Sequence, residues 1–196
     1  SVFMELLEHF ERSPSDLVGE RSSWRSFDRK PLDPEVAGAL RGWLDEAPAG
    51  PFGNQVGLYL LEGFEARDKD VKLGTYGMIK GAVNFLVGAV AEGPRAMEDF
   101  GYVFEMAILK ATDLGLGSCW LGGTLKRGAF AAAAEVPEDL IVPAVSPLGQ
   151  PVNRRMLDRA VRFFAGSKYR KGPEELFFDG RFGEGLDLES EPDAPW

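Results

Sequence analysis

Three clusters hold the residues best suited to chemistry. The first, Glu20-Arg21-Ser22-Ser23-Trp24-Arg25-Ser26-Phe27, places two guanidinium groups and three hydroxyls within six residues. A guanidinium presents a planar fork of donors that matches phosphate oxygens, and serine hydroxyls with backbone N–H groups can complete such a cradle. The same run also fits a solvated turn between a helix and a strand. The second, Gly115-Leu116-Gly117-Ser118-Cys119-Trp120-Leu121-Gly122-Gly123, contains a Gly-x-Gly in the order helix, glycines, strand. A dinucleotide-binding turn needs the reverse order, so a Rossmann fingerprint is rejected. The Gly122-Gly123 pair can bring backbone N–H groups close to a flat ligand, or simply cap the helix region and turn the chain at a sheet edge. The third, Lys168-Tyr169-Arg170-Lys171, with Glu174-Glu175-Leu176-Phe177-Phe178 behind it, offers a further phosphate contact or ordinary surface charge.

Other chemistries are excluded by what the chain lacks. One histidine, His9, and one cysteine, Cys119, cannot build a multi-histidine or Cys–His metal centre, nor an intramolecular disulfide. There is no Gly-x-Ser-x-Gly elbow and no P-loop, and carboxylates are too numerous to single out an acid–base pair. Cys119 lies in an apolar run with no histidine near it in sequence and reads as a buried core thiol rather than a nucleophile. Trp24, Trp43, Phe100 and Trp120 read most simply as core. No catalytic side chain and no metal ligand is assigned. Thirty-one acidic against 22 basic residues give a net charge of -9, which speaks against nucleic acid or anionic lipid as a partner.

These clusters need elements to position them. The 196 residues, 44% apolar and 27% charged, suit a globular fold, and no run approaches the roughly 20 apolar residues of a membrane span. The acidic amphipathic opening lacks the basic region of a signal peptide, so a cytoplasmic location is expected. Val2, Phe3, Leu6, Leu7 and Phe10 follow helical spacing up to Ser13-Pro14, with a second start at Ser15-Asp16. Asp33 as cap, Pro34 at the first position and Val36, Leu40, Trp43 and Leu44 on one face predict a helix that ends before Ala47-Pro48-Ala49-Gly50-Pro51. Strands are expected at residues 56–61, 85–91, 118–121 and 141–148. Helices are expected at 95–114, around Phe130, and at 153–164. The mixture lacks a strict βαβ repeat and points to one α+β domain, a sheet covered by helices. The domain is expected to span residues 1–178, followed by an extended acidic tail at 179–196.

In their order, these elements resemble the FMN-dependent nitroreductase family. Arg21-Ser22-Ser23-Trp24-Arg25-Ser26-Phe27 is similar to that family's Arg-basic-Ser-x-Arg-x-Phe segment, and residues 114–123 to its Gly-Leu-Gly-x-Cys-Trp-x-Gly-Gly element. Pro143-Ala144-Val145-Ser146-Pro147-Leu148-Gly149-Gln150-Pro151 resembles the strand that follows, and residues 168–177 the closing basic run. The resemblance implies a central, mostly antiparallel sheet covered by helices. It implies that Arg21, Ser22 and Ser23 bind the FMN phosphate and ribityl end, that Arg170 and Lys168 close on the phosphate, and that Arg25 lies near the pyrimidine edge. Leu121, Gly122 and Gly123 would present backbone to the flavin near its hydride-accepting atom. The implied activity is ping-pong transfer from NAD(P)H through FMN to a small electron-poor acceptor, a nitroaromatic or quinone. The alternative is a flavin-binding or structural half-domain, inactive without a second half. The family's Ala-Pro-Ser-x-x-Asn-x-Gln-Pro-Trp loop corresponds to residues 47–56, which lack its serine and tryptophan. Residues 74–82, 114–127 and 177–180 are similar to a divergent subgroup in which two related halves stand in tandem. A homodimer or a tandem pseudo-dimer, with the chain as one half, is therefore expected.

Overall fold

Proline starts the first two helices among the described residues. α1 (Pro14–Glu20) and α2 (Pro34–Asp45) both carry it in the first turn, where a missing N–H has no helical partner to lose. Asp33 caps α2 by accepting from Glu35 N at 2.9 Å and Val36 N at 3.5 Å. The remaining elements are β1 (Val56–Leu61), β2 (Asn84–Ala91), α3 (Ala96–Asp113), β3 (Gly117–Ser118), α4 (Arg127–Ala133), β4 (Leu140–Ile141) and β5 (Val145–Gly149). This is a computed structural model, and it describes residues 10–64, 79–123, 126–152, 171–172 and 175–187.

The sheet runs β1-β2-β5-β3, with β4 also on β2, and every ladder is antiparallel. β2 is the central strand: it pairs with β1 from Val56↔Val90 to Leu61↔Phe85, and with β5 from Asn84↔Leu148 to Val87↔Val145. Its side chains alternate between two buried layers. Leu86 and Val90 join the cluster of α2 and α3, while Phe85, Val87 and Ala89 pack with Phe130 of α4, Val142 and Val145. Burial on both faces explains why the strand is an almost unbroken apolar run. Between Leu86 and Val90 stands Gly88, where an added Cβ would lie 2.5 Å from Phe104 and 2.7 Å from Phe100. Those two rings stack at 5.2 Å, so the glycine lets α3 settle directly on the sheet.

The expected strand at 141–148 is two pieces, β4 and β5. Pro143, which has no N–H for a ladder, stands in the break. The expected strand at 118–121 shifts and shortens to Gly117–Ser118, because Cys119 N turns to the Ser146 hydroxyl at 3.0 Å and only Leu121 rejoins β5, bridging to Val145. Trp43, Phe100 and Cys119 are buried as expected. Trp24 is only half-buried, and Trp120 is 36% exposed because its indole N–H points to a carboxylate at the rim of α3. The predicted segments at 1–9, including His9, and 153–164 lie outside the described residues, as do Lys168 and Arg170.

The chain divides into two compact units, residues 4–154, which hold all the elements above, and residues 1–3 with 155–196. In the second, Asp179 N donates to Glu184 O at 2.9 Å and Leu186 N to Phe177 O at 3.0 Å, closing a short hairpin. No helix among the described residues is long and apolar enough to cross a membrane. The described residues hold no group of three or more His, Cys, Asp or Glu able to bind a metal.

Candidate functional site

The basic cluster at 21–27 is an extended segment stitched to three distant parts of the chain. Trp24 N donates to Ser118 O at 2.8 Å, Lys80 N to Arg25 O at 2.8 Å, Phe27 N to Lys80 O at 2.9 Å and Val152 N to Ser26 O at 3.0 Å. Ser23 and Ser118 form a parallel bridge. The first and second sequence clusters therefore meet side by side. Between them lies a cavity of about 270 Å³, walled by Arg21, Ser22 and Trp24 on one side and by Thr112 and residues 115–118 on the other, with Glu20 and Pro151. Gly117 lies close against this wall, where a Cβ would stand 3.1 Å from the Trp24 ring and require a shift of a few tenths of an ångström.

Two arginines give the site its electrostatic character. Arg21 Nε lies 3.2 Å from Glu105 Oε1, while its Nη1 is buried with no hydrogen-bond partner among the described residues. Arg25 Nη1 is buried and unpartnered in the same way. A buried donor left unsatisfied costs about 1–3 kcal/mol, and more for a charged group, so such atoms are rare. Both nitrogens belong to cationic groups four residues apart, Arg21 in the cavity wall and Arg25 outside it. Of the remaining sequence candidates, Ser22 lines the cavity and Ser23 is held in the bridge, whereas Arg25 and residues 121–123 lie outside its wall.

Leu121 is fixed by reciprocal hydrogen bonds with Val145 of 2.9 and 3.0 Å. Gly122 O accepts from Arg127 Nη2 at 2.7 Å. A Cβ on Gly122 would come to 3.4 Å from Pro143 O, but one on Gly123 would meet nothing within 4 Å among the described residues.

Two carboxylates that organise the surroundings of the site were not singled out from the sequence. Glu105 joins Arg21 to Trp120, whose Nε1 donates to Glu105 Oε2 at 2.6 Å. Asp99 is fully buried and accepts from Phe52 N (2.8 Å), Asn54 N (2.8 Å) and Asn54 Nδ2 (2.7 Å), which ties the 47–56 loop to the start of α3. Burial pushes the Asp99 carboxyl up, but these three hydrogen bonds outweigh it and leave the group below its ordinary value of 3.8. The available signal for Asp99 was its place beside Phe100 on the apolar stripe of α3, where an acid must have buried partners.

The family model described as "Putative TM nitroreductase" matches residues 15–178. The chain belongs to this nitroreductase family. Solved structures agree on the fold. Nitroreductase A from Vibrio parahaemolyticus superposes with a TM-score of 0.64 at 18% identity, covering 90% of this chain and 79% of that one. An FMN-dependent nitroreductase from Clostridium difficile gives 0.54 at 18% identity, with 71% and 88% covered. A protein from Bacteroides thetaiotaomicron described as an NADH dehydrogenase or NAD(P)H nitroreductase gives 0.57 at 19%, with 72% and 88% covered. Among curated protein sequences none matches significantly. The nitroreductase fold is thus an α+β sheet layered by helices, and the family match runs from α1 through the basic run at 168–171.

Proposed function

We propose that this nitroreductase-family chain is an FMN-dependent oxidoreductase that takes hydride from NAD(P)H and reduces a small electron-poor acceptor, a nitroaromatic or quinone. The observation that carries the reading is the pair of buried, unpartnered guanidinium nitrogens on Arg21 and Arg25. In a chain of net charge -9, two such donors fit a cofactor with an anionic phosphate and a ring that becomes negative on reduction. Bound FMN supplies the hydride-accepting and hydride-donating centre, so no nucleophile or acid–base side chain need be assigned.

The chain's own residues bind and tune. Arg21, Ser22 and Ser23 hold the phosphate and ribityl end, with the cavity wall at 115–118 opposite. Arg25 stabilises the charge that reduction places on the pyrimidine side. Leu121, Gly122 and Gly123 offer backbone, and the open space at Gly123 supports that role. Lys168 and Arg170 enter on the family resemblance alone. The domain is proposed to end near residue 178, where the family match ends, and a cytoplasmic location is proposed with it.

A second reading, a flavin-binding half that turns over only with a second half or dimer partner, is favoured by the 47–56 loop. That loop is bound to its own α3 through Asp99 and lacks the family's serine and tryptophan. The visible spectrum of the purified protein, before and after incubation with FMN and desalting, tests both readings together with NAD(P)H oxidation on nitrofurazone or menadione. Flavin bands with turnover support the enzyme, and bands without turnover support the half-domain. A protein that stays colourless overturns both.

A further inference from the structure

Arg21 is held by a device that family membership does not specify. Its Nε edge faces Glu105 at 3.2 Å, while Nη1 on the same guanidinium is buried and has no hydrogen-bond partner among the described residues. The second oxygen of Glu105 accepts from Trp120 Nε1 at 2.6 Å. Trp120 is itself fixed by packing, its ring edge-on to Phe104 at 4.6 Å and to Phe100 at 6.3 Å. The chain of contacts therefore runs from stacked core aromatics, through an indole N–H and a carboxylate, to the guanidinium.

A guanidinium has five donors in a rigid plane, and occupying one edge fixes where the others point. An ion pair on the Nε edge narrows the range of orientations the side chain samples before any ligand arrives, which lowers the ordering cost of binding. The carboxylate also carries a charge opposite to that of the guanidinium, so the pair presents an oriented set of donors more than a net cation. Selectivity for an anionic group then depends on the direction of those donors.

We propose that Glu105 is a positioning residue that holds Arg21 by its Nε edge and reserves the remaining donors for the ligand's phosphate, with Trp120 anchoring Glu105. The phosphate assignment rests on the FMN reading above. The alternative is that Glu105 merely competes with the ligand for Arg21, and the two make opposite predictions. Positioning predicts that Glu105→Ala weakens FMN about tenfold relative to riboflavin, which has no phosphate, as expected for one misdirected charge-assisted hydrogen bond. Competition predicts a ratio that rises. Because Glu105 is 36% exposed, its removal leaves the core intact, and a thermal melt of the variant checks this.

The experiment is titration of FMN and riboflavin into wild type, Glu105→Ala and Trp120→Phe, followed by flavin fluorescence. Alongside it, the Arg21 Nε–Hε signal is followed in a 15N-labelled protein while inorganic phosphate is added. The expected results are a fall in the FMN-to-riboflavin ratio in Glu105→Ala and a smaller fall in Trp120→Phe. An unchanged or increased ratio overturns the proposal. A wild type that binds neither flavin defeats the FMN reading separately. Glu105 is then judged by the phosphate titration: a saturable shift of the Arg21 signal in wild type that is lost in Glu105→Ala supports positioning, and its absence in wild type overturns it.

Discussion

Substituting Gly88 by alanine tests how tightly α3 sits on the sheet. The new Cβ would lie 2.5 Å from Phe104 and 2.7 Å from Phe100, so Phe104 must retreat by about 0.9 Å to reach the 3.4 Å of ordinary contact. Phe104 is fully buried, stacked on Phe100 and edge-on to Trp120, so its retreat must displace packed rings. Forcing a methyl into such a core costs about 1–3 kcal/mol. With a urea m-value of about 2 kcal/mol/M, the midpoint should fall by roughly 0.5–1.5 M with m unchanged. Replacing Phe104 by leucine in the same chain removes the obstructing ring atoms, and the double variant should be less destabilised than the sum of the singles by about 1 kcal/mol. Because the displaced ring touches Trp120, Gly88→Ala should also change the tryptophan emission of the native protein. A midpoint within about 0.3 M of wild type, or additive energies in the cycle, would refute the packing described for Gly88, since distant sites add within about 0.3–0.5 kcal/mol.

Three further outcomes are expected. Arg21→Ala should weaken FMN by about 10- to 150-fold, the range for a charged hydrogen bond of about 1.5–3 kcal/mol, whereas Arg25→Ala should lower the flavin midpoint potential by about 30 mV or more; spectral titration and dye equilibration measure the two. Asp99 and Asp113 are both held below their ordinary value of 3.8, Asp113 because hydrogen bonds from Glu11 N, Lys110 and Arg12 outweigh the upward push of burial. Their stabilisation is complete above that value and is lost as pH falls through the folded-state values, so the melting temperature should decline on acidification below about pH 4, and Asp113→Asn should flatten the decline. Cys119, 4% exposed, should react with a thiol reagent only after unfolding, and native reactivity would contradict its placement.

What could be read from the sequence was whatever leaves a local or periodic trace. The α2 boundary follows from Asp33 and Pro34, the burial of β2 from its apolar run, and α3 from its stripe, each within a residue or so of the structure. The cluster at 21–27 and the glycines at 115–117 were both visible, but that they share a cavity depends on hydrogen bonds between distant residues, which no spacing encodes. Trp120 was misjudged because its ring suggests core while its N–H requires an acceptor, here Glu105. Glu105 itself carried no signal among 31 acidic residues, since its role comes from what stands opposite it in space. The break at Pro143 was not legible from proline alone, since Pro147 stands inside the unbroken β5, paired with Phe85.

The stitching of the 23–27 segment bears on the order in which the molecule assembles. Its partners are Lys80, Ser118, Pro151 and Val152, all of which follow it in the chain by long intervals. Contacts of such separation require the intervening loops to close first, and they slow folding relative to local ones. The surroundings of Arg21, at Glu105 and residues 112–118, and of Arg25, at Lys80, are likewise built from residues distant in sequence. Loading of any ligand that depends on them is therefore a late event, and its kinetics should track completion of the sheet rather than formation of the early helices.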